Sequence, residues 1–213
     1  MTIKGHLSEE LEHYLRLSEA IPGWTRGEEA RELLWISQSL PAGAVIVEIG
    51  SFLGAGAILL AGPRRIRGSG LVHCVDPFNA TGDSFSVPHY QRIIAEIGIG
   101  SLRDHFERNI QGAGLGCWVR IHQGRAEEVA PSWGKPVDLL YLDGDQSRKG
   151  AREAYDSWAR FLKPGGIIAV HNSAPENHTP EHDGHRCVVE EEIKPPIYSN
   201  IRFVSSTTFA TRR

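Results

Sequence analysis

The chain has 213 residues, of which 40% are hydrophobic, 23% charged and 8% aromatic. That length and balance suit one folded domain, with or without a small lid, and exclude a disordered or fibrous chain. Lys+Arg number 23 against 26 Asp+Glu, a formal charge of −3, so no cationic excess exists to hold a nucleic-acid backbone by counterion release. Nucleic acid is therefore not an expected partner.

The three cysteines, Cys74, Cys117 and Cys187, are odd in number and form no C-x-x-C pair, which argues against a disulfide framework or a zinc site. The N-terminal stretch carries no uninterrupted apolar segment, and the longest uncharged apolar-rich run, 49–63, is too short for a bilayer. The expected setting is cytoplasmic, with no membrane partner.

Residues 8–20 place Leu11, Tyr14, Leu15 and Leu17 near one face of an amphipathic helix. The turn Ile21-Pro22-Gly23-Trp24 follows. A second helix spans 28–40, where Ala30, Leu33, Ile36 and Leu40 recur at three-and-four spacing. Beyond Pro41, short apolar runs at 44–49, 71–75, 118–122, 137–142 and 166–171 alternate with helical stretches at about 55–62, 88–112, 125–130 and 148–161. Strand and helix in alternation are the pattern of a parallel sheet covered on both faces. Lys163-Pro164-Gly165-Gly166 reads as a helix stop before a strand. A polar loop at 172–184, a helix at 186–194 and a tail of two short strands or one hairpin complete the chain. The expected division is a helical lid at 1–40 and a main α/β domain at 41–213.

Four strand ends carry candidate chemistry. The first runs Val47-Glu48-Ile49-Gly50-Ser51-Phe52-Leu53-Gly54-Ala55-Gly56, a strand, a glycine turn and a helix start. In an open α/β sheet ligands gather there, and helix N-termini favour anionic groups. The glycine spacing is not G-x-G-x-x-G, which disfavours a dinucleotide. The second strand ends Val75-Asp76-Pro77-Phe78. Asp76 is placed to accept hydrogen bonds from ribose hydroxyls, and Phe78 to pack on an adenine face. The fourth ends Tyr141-Leu142-Asp143-Gly144-Asp145-Gln146, and the fifth Val170-His171-Asn172-Ser173. Asp143 with Asn172 offers oxygen ligands that suit Mg²⁺; the competing reading has Asp143 cap the next helix.

The sequence from Val45 to Ser173 resembles the class I S-adenosylmethionine-dependent methyltransferases. VEIGSFLGAG resembles that family's first motif and VHCVDPF its ribose-binding motif; VDLLYLDGDQS and FLKPGGIIAVHNS resemble its fourth and fifth strands. The form is similar to small O-methyltransferases of the catechol O-methyltransferase type and to bacterial sugar and natural-product relatives. The resemblance implies a Rossmann-like fold with a mostly parallel seven-stranded sheet, helices on both faces and an N-terminal helical lid. It implies S-adenosylmethionine as cofactor and a small hydroxylated acceptor, a sugar or natural product, with a homo-oligomer left open.

Residue by residue, the resemblance sets Gly50, Ser51 and Gly54 against the methionine part of the cofactor, with Glu48 supporting their loop and Asp143 at its edge. Gly124, Arg125 and Ala126 fall near the adenine. Asp143 and Asn172 match two Mg²⁺ ligands of the catechol-type enzymes, and His171 stands at the third position. Where relatives carry a His or Lys base, this chain has Gln146, and an amide is no general base. Asp145, His171 or a histidine of the following loop (His178, His182 or His185) are the substitutes, unless a metal lowers the hydroxyl pKa. His182 or Asp183 is also a candidate to complete a metal or acceptor site, against a reading as solvated loop residues. Trp24 either covers the cofactor or packs the turn. Glu190 to Glu192 reads as a solvated helix face, and Arg64, Arg65 and Arg67 as a surface turn. The alternatives are a cofactor-binding relative that has lost catalysis, supported by Gln146, and a dinucleotide-dependent oxidoreductase.

Overall fold

The computed structural model describes residues 7–175 and 180–213. His178, one of the base candidates, lies outside them. Seven strands form one sheet in the order β3-β2-β1-β4-β5-β7-β6. These are β1 (Val45–Ile49), β2 (Leu71–Asp76), β3 (Val119–Gln123), β4 (Val137–Leu142), β5 (Leu162–Val170), β6 (Tyr198–Val204) and β7 (Thr207–Arg212). The first five are parallel; β7 pairs antiparallel with β5 and with β6. The expected mostly parallel seven-stranded sheet is what the chain builds.

Side chains alternate across β4. Leu139 and Tyr141 join one core, with Ile46, Val72 and Ala169, and Leu140 and Leu142 join the other, with Val47, Ile168 and Val170. The first core is covered by α1 (Glu9–Glu19), α2 (Gly27–Ser39), α3 (Ala55–Ile66) and α5 (Leu102–Gly112). The second is covered by α6 (Ala126–Val129), α7 (Arg148–Trp158) and α8 (Gly184–Glu192). Burial on both faces is why these strands read as continuous apolar runs.

The N-terminal helices share the first core: Leu11, Tyr14, Leu33 and Leu34 are buried with the sheet residues. α1 sits close on α3 because Gly62 has no side chain; a Cβ there would lie 2.3 Å from the Tyr14 ring.

Three expectations need correction. The helix anticipated at 88–112 is two, α4 (Val87–Ile97) and α5. Gly98 and Gly100 take φ of +84° and +134°, and Ser101 and Asp104 form a reciprocal cap at the start of α5. The Lys163–Gly166 stretch is not a stop ahead of a strand. β5 opens at Leu162, and its register against β4 shifts between Val137 and Leu139, so these residues form a bulge. Arg64 is no surface residue: it is fully buried, and its guanidinium donates to the carbonyls of Ser37, Leu40, Pro41 and Ser69. It satisfies the orphan carbonyls at the end of α2.

No helix among the described residues is long and apolar enough to cross a membrane.

Candidate active site

The strand order reverses between β1 and β4, each of which has its other neighbour on the opposite side. Over the carboxyl ends of those strands opens a crevice of about 1350 Å³, counting its mouth. This is the position at which open α/β sheets bind ligands.

One end of the crevice is built from the β1 and β2 termini. Gly50 takes φ +87°, and a Cβ there would lie 2.4 Å from the Gly144 Cα and 2.6 Å from the Asp143 backbone. The glycine is therefore required for the β1 and β4 loops to touch. Asp76 clamps the result. Its Oδ2 accepts the N–H groups of Ser51 and Phe52 at 2.8 and 2.9 Å, and its Oδ1 that of Phe78 at 2.6 Å. Phe52 and Phe78 both hold positive φ, +45° and +54°, a conformation that costs a bulky residue roughly 1–3 kcal/mol. One carboxylate thus stabilises two strained turns. Burial pushes the Asp76 carboxyl up, against the three N–H donors.

Glu48 lies beneath that loop and is fully buried. Its Oε2 accepts the Ser51 hydroxyl at 2.5 Å and the Cys74 thiol at 3.4 Å. A Cβ at Gly56 would fall 2.3 Å from its Oε1, so the third glycine of the motif makes room for a carboxyl. Burial, with Asp143 and Asp76 nearby, pushes Glu48 up to about 8.

Gly50, Ser51, Glu48, Asp76 and the run Gly124, Arg125, Ala126 all line the crevice. Two predicted cofactor residues do not. Phe78 turns into the core, its ring 5.3 Å from that of Phe106. Gly54, at φ +95°, is the N-cap of α3 and faces the Phe106 ring and Ile110. No side chain among the described residues caps α3, which leaves its first N–H groups, at Ala55 and Gly56 on the crevice wall, available to an anionic group.

The other end is formed by the β4 and β5 termini and the α1–α2 turn. Asp143 is tied on all sides. His171 Nδ1 lies 2.6 Å from its Oδ1, and the Tyr141 and Thr25 hydroxyls lie 3.1 and 3.3 Å from its Oδ2 and 2.7 Å from each other. His171 Nε2 in turn lies 3.4 Å from Glu29 Oε1. Burial pushes His171 down, but Asp143 and Glu29 outweigh it and raise the imidazole to about 10. Each ring nitrogen of His171 is thus set against a carboxylate. Glu29, which the sequence offers only as a residue in the first turn of α2, also accepts from Ser206 and Thr207 at the β6–β7 turn.

The remaining acceptor-end residues are placed as follows. Asp145 Oδ1 accepts the Ser147 N–H at 2.9 Å, closing the turn into α7. Gln146 is buried on the crevice wall, and its Oε1 has no hydrogen-bond partner among the described residues. Asn172 takes φ +46°, with its Nδ2 3.3 Å from His182 Nε2. Asp183 points away, into a bidentate pair with Arg148. Glu191 and Glu192 pair with Arg152, and Glu190 with Arg186. The Trp24, Phe52 and Tyr90 rings pack against one another with centroids 5.1 to 5.8 Å apart and form an aromatic wall.

A sequence profile described as a methyltransferase domain matches residues 47–173, more than half of the chain. The chain belongs to this methyltransferase family. Solved structures agree on the fold. An O-methyltransferase from Bacillus cereus in complex with SAH shares 18% identity at a TM-score of 0.64, over 99% of this chain and 94% of that one. The O-methyltransferase TomG from Streptomyces achromogenes, involved in tomaymycin synthesis and solved with SAM, shares 18% at 0.61, over 99% and 92%. The SAH-bound Podospora anserina methyltransferase PaMTH1 shares 13% at 0.64, over 99% and 91%. The methyltransferase has the Rossmann-like class I fold that its motifs implied, and the oxidoreductase reading falls.

The Mg²⁺ ligands implied by the resemblance do not fit a metal in this methyltransferase. Of Asp143, His171 and Asn172, only one brings a formal negative charge, and its Oδ1 is met by His171 Nδ1 at 2.6 Å. A hard cation prefers oxygen ligands carrying net negative charge, whereas this set is one carboxylate, one imidazole and one amide. Among the described residues no cluster of three His, Cys, Asp or Glu side chains is disposed to hold a metal ion. His171 has Nδ1 against Asp143 and Nε2 against Glu29, so both ring nitrogens are set against carboxylates.

Proposed function

We propose that this methyltransferase moves a methyl group from S-adenosylmethionine to a hydroxyl oxygen of a small hydroxylated natural product. The observation that carries the reading is one crevice with two unlike ends. A glycine loop clamped by Asp76 and an uncapped helix start stand at one; an aromatic wall facing polar side chains stands at the other. Support also comes from the similarity to TomG and to the Bacillus cereus enzyme.

Bound S-adenosylmethionine supplies an electrophilic methyl carbon on a sulfonium. The protein's own contribution is to hold and shield the reactants. Asp76 keeps lone pairs for ribose hydroxyls beyond its three backbone bonds, and the α3 N-terminus would hold the carboxylate of the methionine part. The Trp24–Phe52–Tyr90 wall takes the flat face of a ring, which favours an aromatic or ring-bearing acceptor over an open polyol. The turn Pro22–Thr25 closes that end as a lid, latched by Thr25 to Tyr141 at 2.7 Å. The proposed transfer uses no metal, because His171 Nδ1 already sits 2.6 Å from the Asp143 oxygen that a cation would take.

Calorimetric titration with S-adenosylhomocysteine tests the cofactor half. Micromolar binding at one site per chain is expected, and no heat overturns it. Methyl transfer from radiolabelled S-adenosylmethionine to a panel of phenols, catechols and sugars tests the other half. Cofactor binding with no product from any of them would favour the second reading, a relative without turnover, for which the buried Gln146 amide is the supporting observation.

A further inference from the structure

The proposed methyl transfer needs a group to take the acceptor's proton, and Gln146, an amide, is not one. Of the expected substitutes, His171 has each ring nitrogen set against a carboxylate. Asp145 lines the crevice with its Oδ1 tied to the Ser147 N–H, and a carboxylate is a weaker proton acceptor than a neutral imidazole. His185 is fully buried, gives its Nδ1–H to the His171 carbonyl at 2.8 Å, and does not line the crevice. His89 does line it, but its ring contact is with Phe85, and no carboxylate orients it among the described residues.

His182 differs from all of these. It sits in the single turn Pro180–His182 between β5 and α8, and its ring lines the crevice. Its Nδ1 lies 3.1 Å from Asp83 Oδ1. Asp83 belongs to the loop between β2 and α4, is itself almost fully buried, and is fixed by the Ser86 N–H at 2.9 Å. A carboxylate only accepts, so Nδ1 must carry the imidazole proton. On the other side of the ring, the Asn172 amide nitrogen lies 3.3 Å from Nε2. An amide NH₂ only donates, so Nε2 presents its lone pair. Both neighbours select the same tautomer. Phe85 stacks on the ring at 4.7 Å and holds its plane.

We infer that His182 is the general base for the acceptor hydroxyl and that Asp83 is its positioning residue. The inference rests on the O-methyl transfer proposed above. The acceptor's O–H bond breaks, and its proton passes to the His182 Nε2 lone pair. The freed oxygen pair forms the bond to the methyl carbon while the carbon–sulfur pair leaves with the sulfur of S-adenosylmethionine. Asp83 then faces an imidazolium that it stabilises, the arrangement by which a base oriented by a third group works. Asn172, held at positive φ, gives up its contact with Nε2 as the hydroxyl arrives.

Two measurements test this. The first needs no acceptor: long-range ¹H–¹⁵N correlation spectra of labelled protein saturated with S-adenosylhomocysteine at pH 7.5, with His182 assigned by its loss in His182→Gln. The Nδ1–H tautomer is expected at His182, converting to Nε2–H in Asp83→Asn, whose amide can donate to Nδ1. An Nε2–H tautomer in the unaltered protein overturns the inference. The second measures methyl transfer to catechol and 4-nitrocatechol. His182→Gln is expected to lower kcat about 10²- to 10⁴-fold, and Asp83→Asn to lower kcat more than KM. S-Adenosylhomocysteine affinity should stay within threefold in both. A kcat within threefold of the unaltered enzyme in His182→Gln overturns the base assignment. Failure of the unaltered protein to bind S-adenosylhomocysteine overturns the underlying reading instead.

Discussion

His171 is held between two carboxylates from distant parts of the chain, Nδ1 2.6 Å from Asp143 and Nε2 3.4 Å from Glu29. Through Glu29 this pair joins α2 and the β6–β7 turn to the mouth of the crevice. A buried pair of this kind is strongly destabilising to break, because one partner is left charged and dry. His171→Gln is expected to cost about 3–5 kcal/mol in urea unfolding at pH 7. The double change Glu29→Gln/His171→Gln should recover part of that loss, since it removes charge from both sides. An equal or larger loss in the double variant would show that the two residues do not act as a pair.

The same histidine sets a pH dependence. Its folded pKa, near 10, lies above the ordinary 6.5, so its stabilisation is fully present below about pH 6.5 and fades as pH rises through 10. Glu48 acts in the same direction at lower pH. Its folded value near 8 exceeds the ordinary 4.5, so the native state keeps a proton that the unfolded chain has lost between those values. His73 and His185, both pushed down to about 4 by burial, act in the opposite direction below pH 6.5. Thermal stability should therefore fall from about pH 7 to pH 10. Glu48→Gln, which mimics the protonated carboxyl and keeps an oxygen for Ser51, should make the pH 7–8 part of that curve less steep. A curve of unchanged slope would place an ionised carboxylate at Glu48.

What the sequence made legible was what depends on local pattern. The strands showed as apolar runs because both faces of the sheet are buried, and the glycine turn showed because Gly50 and Gly56 leave space that nothing else can. The errors arose where long-range packing decides. Phe78 follows the strand end that carries Asp76, but its positive φ turns the ring toward Phe106. Arg64 opens an Arg-Arg-x-Arg cluster that reads as surface, yet α3 presents it to the open end of α2. Asp83 and His182 are 99 positions apart, and no spacing rule joins the loop after β2 to the loop after β5. His171 keeps its place in the site beside a partner the sequence does not reveal, because Glu29 is brought to it only by the packing of α2.

Asp76 carries two tasks that substitution can separate. Asp76→Ala leaves the Ser51, Phe52 and Phe78 N–H groups without their acceptor and releases two residues held at positive φ. The expected loss is about 2–4 kcal/mol of stability, the scale of buried donors left unpaired, with S-adenosylhomocysteine affinity lowered at least tenfold. Asp76→Asn retains one acceptor oxygen and should fall between. Full stability in Asp76→Ala by thermal melting would show that the glycine loop holds its shape without the clamp.

Metal dependence is the sharpest point at which this protein is expected to part from the catechol-type enzymes it resembles. The Asp143 carboxylate meets the His171 ring and two hydroxyls, so a divalent cation would have to displace a partner already at 2.6 Å. Prolonged treatment with EDTA is expected to leave methyl transfer unchanged, and added Mg²⁺ to give less than a twofold increase. Stimulation of tenfold or more, about 1.4 kcal/mol of differential binding, would require His171 to release Asp143 when the acceptor binds. His171→Gln separates the two cases: with its counter-charge gone, Asp143 becomes free to take a cation, and Mg²⁺ should then raise the melting temperature of this variant but not that of the unaltered protein.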